Sequence, residues 1–439
     1  MATTHQWCHE CILNINLQEI IFDKIHDDRK SLSALVLTSK VVSESAERVL
    51  WRTLRDLLPL LRLLPGFQMH ISANNGCGFS HPLNASDWVS FDKHAAWVKE
   101  ITEWGTQALL QPQTWDILLS RRQPLLVNLK KLRCRLLAPS LAPFPLGTSR
   151  IPSNAENLGI LPPFPPPAGL THLCLAMNVS HTDLSRIPPE VDSTLEHLTV
   201  NNFVPWITRD LYRPLDHRFL PVLRSLTIHT IPPFQAPFPP FPGLKCLRLS
   251  SVSEITAVQL LGALESPDLQ SVLIHNSSGK HICQIVAQRW SRTLTSFDFA
   301  CTTLEDLRPL AECAALQTFR LKDCRAFHID EFLDLASRWA DIRTVSIPMA
   351  SDISLSALTR LAHQFPLLLV GELDLTSLTP MPPIHETSVL EHNLKQLLLH
   401  SSPPQEEADV GLLARHLDRL FPRLDEIRYV GRIGAPDST

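Results

Sequence analysis

Gly243-Leu244-Lys245-Cys246-Leu247-Arg248-Leu249 is the stretch whose reading decides the fold. Its apolar residues follow an L-x-x-L-x-L spacing. Within a strand, alternation sends Leu247 and Leu249 to one face and Cys246 and Arg248 to the other. The pattern recurs upstream as Leu170/Leu173/Leu175, Leu195/Leu198/Val200 and Leu223/Leu226/Ile228. Downstream it continues as Leu269/Val272/Ile274, Leu294/Phe297/Phe299, Leu316/Phe319/Leu321 and Ile342/Val345/Ile347. Val370/Leu373/Leu375, Leu394/Leu397/Leu399 and Leu424/Ile427/Tyr429 close the series. The intervals run from 21 to 30 residues and average about 25. One such triad in a leucine-rich chain means little, whereas eleven at a near-constant interval describe a repeat array.

That interval fits leucine-rich repeats. The expected fold is α/β, a curved solenoid with one strand and one helix or loop per repeat. The Asn or Cys usual two places after the triad is present at Asn178 and Cys324 but replaced in most repeats. Helices are expected on the convex side after residue 250, where Ile282, Ile285, Val286 and Trp290 share a face. Phe332, Leu335, Ala336 and Trp339 do the same, as do Leu413, Leu417 and Leu420. The proline-rich stretches 139–167 and 232–242 read as extended convex-side connectors, because proline neither donates to a ladder nor sits inside a helix.

The 439 residues carry a net charge of −4, with 44% apolar and 19% charged residues. That composition suits a well-buried protein and supplies no basic field for nucleic acid. No apolar run is long enough to span a bilayer, so no membrane partner is expected. Met1 to Glu10 lacks the layout of a secretory signal, and the ten cysteines are scattered. Free thiols in a reducing compartment follow, with a cytoplasmic or nuclear location. His5, Cys8, His9 and Cys11 have ligand chemistry for zinc, but no second pair lies at finger spacing. Neither a metal nor a cofactor is expected. No P-loop, Rossmann glycine pattern, nucleophile elbow or His-Glu-x-x-His occurs, so the chain reads as non-catalytic.

Upstream of the repeats, residues 11–55 read as a small helical module. Leu17, Ile21 and Ile25 recur at helical spacing, as do Leu32, Leu35 and Val36, and then Ala46, Val49 and Leu50. Leu17-Gln18-Glu19-Ile20-Ile21-Phe22-Asp23-Lys24-Ile25 resembles the opening helix of an F-box. Leu32 to Lys40 resembles its middle helix. The closing Val49-Leu50-Trp51-Arg52-Thr53-Leu54 is similar to the Leu-Trp-Arg-Thr-Leu ending of the module common in fungal F-box proteins. The Leu-Pro that usually opens an F-box is missing: the first proline is Pro59, and Asn16 or Leu17 stands in that place. The expected organisation is a leader at 1–10, the F-box-like module at 11–55, a helical connecting region at 56–125 and the solenoid at 126–439.

The resemblance implies a substrate-recognition subunit of a Skp–cullin–F-box ubiquitin ligase. The module would dock on the Skp adaptor, and through it a cullin, while the solenoid holds an unknown protein substrate. The alternative is a repeat scaffold or inhibitor that works without a ligase. Leu17, Ile20, Ile21, Ile25, Leu32 and Leu35 are the candidate adaptor contacts, and Trp51 is expected to close the module's core. On the open face of the strands, His197, Arg248, Asp298, Arg320, Asp374 and Arg428 are the candidate substrate contacts. Arg248 and Arg320 stand out, since a guanidinium grips a carboxylate or phosphate with two parallel hydrogen bonds.

Overall fold

From residue 172 onward, strands recur along the computed structural model at the repeat interval, and among the described residues every strand pairing whose register is defined is parallel except one hairpin. The structure describes residues 14–69, 77–104, 110, 112–121, 125–134, 169–179, 189–203, 220–230, 241–275, 279–300, 303–322, 328–348, 353–373, 389–399 and 407–429. The His5–Cys11 cluster, most of both proline-rich stretches and Asp374 lie outside these residues. The chain divides into two units, Met1–Asn202 and Phe203–Thr439.

The first unit opens with helices α1 (Ile15–Lys24), α2 (Arg29–Thr38) and α3 (Lys40–Arg52). Each begins on a side-chain cap that satisfies N–H groups left open by the first turn. Asn14 accepts from Asn16 N and Leu17 N at 3.0 and 3.2 Å, so an asparagine sets the start that proline usually sets. Asp28 caps α2 through Ser31 N at 3.1 Å, and Ser39 caps α3 through Val41 N at 3.3 Å. Helices α1 and α2 both pack on α3 around Phe22, Leu32, Ala46 and Val49.

The ladder starts directly after α3, with strand β1 (Thr53–Leu54). Helix α4 (Leu58–Leu61) and the hairpin of β2 (Phe67–Gln68) and β3 (Gly78–Phe79) follow. Then come α5 (Trp88–Ala95), β4 (Glu100–Trp104), α6 (Pro112–Arg121), β5 (Lys131–Cys134), β6 (His172–Val179), α7 (Pro189–Asp192) and β7 (His197–Phe203). Strand β1 pairs with β4 through Leu54↔Ile101, and β4 with β5 through Ile101↔Leu132. The ladder therefore begins well before residue 126, with β1 at the end of the 11–55 module and β4 in the connecting region expected to be helical. Leu54, Val98, Ile101, Leu129 and Leu132 are buried like the later triads.

The second unit carries β8 (Ser225–Ile228), β9 (Cys246–Leu249), α8 (Glu254–Ala263), β10 (Ser271–Ile274), α9 (Lys280–Trp290) and β11 (Ser296–Ala300). A 3₁₀ turn at Leu304–Glu312 precedes β12 (Thr318–Lys322). The unit ends with α10 (Ile329–Ala336), β13 (Thr344–Ile347), α11 (Leu355–Gln364), β14 (Val370–Leu373), β15 (Gln396–Leu399), α12 (Glu407–Leu420) and β16 (Glu426–Tyr429). Strand plus helix or turn per repeat, on a parallel ladder, is the layout of a leucine-rich repeat solenoid. Leu226, Leu247, Val272, Phe297, Phe319 and Val345 stand in one lateral row through the strand register, all buried. Helix faces cover the same core, with Ile282, Val286, Trp290, Phe332, Ala336, Trp339, Leu413, Leu417 and Leu420 buried.

Hydrogen bonds define the register. At most strand starts, one carbonyl accepts two consecutive N–H groups of the next repeat. Gln317 O takes Arg343 and Thr344, Arg343 O takes Leu369 and Val370, and Leu369 O takes Lys395 and Gln396. This sequence corrects one triad. The residues equivalent to Ile342/Val345/Ile347 are Leu368/Gly371/Leu373, not Val370/Leu373/Leu375. Gly371 occupies an inward position, and a Cβ there would stand 3.4 Å from Leu397 Cδ1 and 3.7 Å from Leu394 Cδ1. At the far end the last triad is less buried than expected, with Ile427 40% exposed on the terminal strand.

Side-chain donors also join successive repeats. Thr194 Oγ1 donates to Leu170 O at 3.0 Å, and Thr293 Oγ1 to Leu269 O at 3.0 Å. Trp290 Nε1 reaches Ser266 O at 2.6 Å, and Trp339 Nε1 reaches Leu310 O at 3.0 Å. Each bond satisfies a buried carbonyl of the preceding repeat. The described cysteines Cys77, Cys134, Cys246, Cys283 and Cys313 carry free thiols. Burial pushes the Cys313 thiol up to about 12, with the Glu312 charge adding to it, so it behaves as a small apolar core residue. No helix among the described residues is long and apolar enough to cross a membrane.

Candidate functional site

Two surfaces are built from these elements, one on the helical module and one on the open face of the ladder. Helix α1 carries two apolar stripes. Phe22 points into the module, and Ile25 packs beside it. Leu17, Ile20 and Ile21 sit at the i, i+3, i+4 spacing of one helix face and point outward, 38%, 59% and 57% exposed. Ile15 and Val41 are exposed too. The six candidate adaptor contacts therefore divide. Leu17, Ile20 and Ile21 are on the surface, Ile25 and Leu35 are partly buried, and Leu32 is wholly buried in the core.

Trp51 has a different role from the one expected of it. Its half-buried ring lies outside the module's core and meets His94 of α5, with centroids 4.4 Å apart and planes tilted by 49°. His94 is held by Ser90 O at 2.6 Å and by Glu47 Oε1 at 2.8 Å. Lys93 Nζ reaches Glu47 Oε2 at 3.2 Å and lies 4.8 Å over the Trp97 ring. These contacts fasten α3 to α5. Arg29 adds bonds to Leu50 O and Thr53 O at 3.4 and 3.3 Å, tying α2 to the first strand of the ladder.

The open face of the ladder is polar. In the first unit, Glu100, Lys131 and His172 occupy equivalent positions on successive strands, and His172 stacks on His197 at 4.1 Å. Burial pushes the His172 imidazole below its ordinary range, and the neighbouring His197 and Lys131 charges push the same way. His197 is thus part of a histidine pair that a linear reading does not reveal.

In the second unit, one row runs Thr227, Arg248, Leu273, Asp298, Arg320, Ser346 and Glu372 across β8 to β14. Asp298 is 5% exposed, the most deeply seated of the candidate substrate contacts with described side chains. His275 Nε2 stands 3.4 Å from its Oδ1, and Lys322 Nζ 3.8 Å from its Oδ2. Lys322 Nζ is also 3.2 Å from His275 Nε2. Burial pushes the His275 imidazole down, and Lys322 and Arg248 push it further, against the opposing pull of Asp298. Arg248 and Arg320 are both exposed, and neither is in an ion pair among the described residues. Arg428, by contrast, is held by Glu426 at 2.5 Å. A reading that takes two outward positions per strand does not reach His275 or Lys322. Strands β11 and β12 are five residues long, so alternation extends one step further to Lys322.

No group of three or more His, Cys, Asp or Glu suited to a metal occurs among the described residues. The fold defines a class: a leucine-rich repeat ladder preceded by a three-helix module. No protein-family model matches the chain, and no curated protein matches it. Among solved structures it is similar to that of the Rad7 and Elc1 complex in yeast, at 14% identity and a TM-score of 0.42. The alignment covers 99% of this chain and 92% of that one.

Proposed function

We propose that the chain is a non-catalytic substrate receptor of a Skp–cullin–F-box ubiquitin ligase. The three-helix module docks on the Skp adaptor, and the open face of the ladder holds a protein to be modified. The observation that carries this reading is the second apolar stripe on α1. Ile20 and Ile21 are more than half exposed although the module has a complete core of its own. Apolar side chains aligned on one helix face, with charged neighbours, suit burial against a partner. The F-box-like sequence of residues 17–54 points to the adaptor as that partner. Thiol chemistry for ubiquitin transfer then belongs to other subunits.

The test is co-purification of the full-length chain with the Skp adaptor. Ile20→Glu with Ile21→Glu should abolish capture while shifting stability by less than about 0.5 kcal/mol, since both side chains are exposed. Surface substitutions are better than deletion of residues 1–55, which would also remove β1 and the Trp51 contact. Capture that survives the double substitution would leave the chain as a repeat scaffold that works without the ligase.

A further inference from the structure

The row Arg248, Leu273, Asp298, Arg320 has a spacing that selects a ligand. These residues sit at equivalent positions on the consecutive strands β9, β10, β11 and β12. Parallel strands lie ~4.8 Å apart, so Arg248 and Arg320 are separated by ~14 Å along the row. An extended chain rises ~3.4 Å per residue, and residues i, i+2 and i+4 point the same way. A peptide crossing the strands therefore places side chains about four residues apart over the two arginines. Its middle inward side chain lands between Leu273, half-buried, and the carboxylate of Asp298.

Charge decides what those side chains are. Lys322 and His275 face the Asp298 carboxylate, with Arg320 at the equivalent position on the next strand and Arg248 two strands away. Among the described residues neither guanidinium is in an ion pair, and a planar fork fits an anionic oxygen pair. At the middle position, a second carboxylate would meet Asp298, buried beneath it, at a site where repulsion is poorly screened.

We propose that the open face of β9 to β12 takes an extended peptide with anionic side chains four positions apart and a non-acidic side chain midway. Arg248 and Arg320 grip the outer anions, carboxylate or phosphorylated, and Asp298 rejects a third between them. The proposal deepens the reading of the ladder as the partner-binding part and rests on it; adaptor docking plays no role in it.

The test is an immobilised peptide array probed with the full-length chain at low ionic strength. The reference peptide is neutral apart from Glu-Ala-Leu-Ala-Glu. It should be retained, and its Gln-Ala-Leu-Ala-Gln counterpart should not. Arg248→Gln and Arg320→Gln should each weaken retention about tenfold or more, the scale of a lost charge-assisted hydrogen bond. Placing Glu at the middle position should weaken binding to the unaltered chain, and Asp298→Asn should restore it. Peptides with phosphoserine at the outer positions separate the two anion sources. Tighter retention that still requires both arginines assigns the phosphorylated form, and weaker retention assigns the carboxylate form. Equal retention of the Glu and Gln peptides overturns the proposal, as does indifference of the middle position to Asp298→Asn. Equal competition by a single-stranded RNA of the same charge also overturns it. Since the adaptor is absent from this assay, a negative result leaves the docking of α1 untouched, and loss of adaptor capture leaves this one untouched.

Discussion

At the scale of the residue, Leu247 and Lys245 are two positions apart and belong to different environments. Leu247 is fully buried between Leu226 and Val272 of the neighbouring strands, while Lys245 is exposed. Leu247→Ala should cost about 2–5 kcal/mol, from lost burial and the cavity left behind. Lys245→Ala should cost under about 0.5 kcal/mol. Equal urea midpoints for the two would contradict the inward stacking. Gly371 makes the opposite case. Its α-carbon faces inward, but Leu394 and Leu397 have closed over the space, leaving a new Cβ in ordinary van der Waals contact. Gly371→Ala should therefore stabilise the chain by about 0.4–1 kcal/mol, mainly by restricting the unfolded state. Gly371→Leu should destabilise it by overpacking. A urea titration of both variants reads the two signs.

At the scale of the element, α3 belongs to two structures at once. One face completes the three-helix core, and the other is bound to α5 through Glu47, Trp51 and their partners. Burial alone would raise the Glu47 carboxyl. Hydrogen bonds from His94 and Lys93, with the charges of the two, outweigh that and hold it below its ordinary value of 4.5. A depressed carboxyl stabilises the fold above its unfolded-state value, and that contribution is lost as pH falls through the folded-state value. Amide exchange in α5 should accelerate as pH is lowered below 4.5, beyond the intrinsic pH dependence of exchange. Glu47→Gln should already show faster exchange at neutral pH and lack the added acceleration. Trp51→Ala should loosen α5 and leave the Phe22–Leu32 core intact. Loss of that core instead would restore Trp51 to the place the sequence suggested for it.

At the scale of the whole molecule, three histidines spread along the ladder are held below their ordinary value of 6.5. Burial is the first cause at His172, His275 and His392. At His392 the ring also accepts from Leu394 N at 2.9 Å, so a proton there would displace a backbone bond. Between the ordinary and the depressed values the unfolded chain binds more protons than the folded one, so stability falls as pH falls. The thermal midpoint should decline from about pH 6.5 downward, before the carboxylates titrate. His392→Gln should flatten part of that decline. A midpoint that stays constant from pH 7 to 5 would contradict it.

The sequence by itself determined the repeat interval, the alternation within each strand and the helical faces that cover the core. Those properties depend on residues a few positions apart, so a linear reading contains them. It also marked Arg248 and Arg320 as facing the same way. The tertiary structure alone decided what depends on residues a repeat or more apart. The triad near residue 370 is an instance: Val370 and Leu375 look like the better apolar fit, but the bonds that Leu369 N and Val370 N donate to Arg343 O place Gly371 inward, and Leu394 and Leu397 fill the missing volume. The same holds for α1, where both stripes are apolar and only packing against α3 sends Phe22 inward and Ile20 and Ile21 outward. The partners of Trp51, and the ring of His275 and Lys322 around Asp298, likewise join side chains 23 to 47 positions apart. Parallel pairing fixes such neighbours because each strand takes its register from hydrogen bonds to the one before it, and no local pattern of side chains encodes that offset.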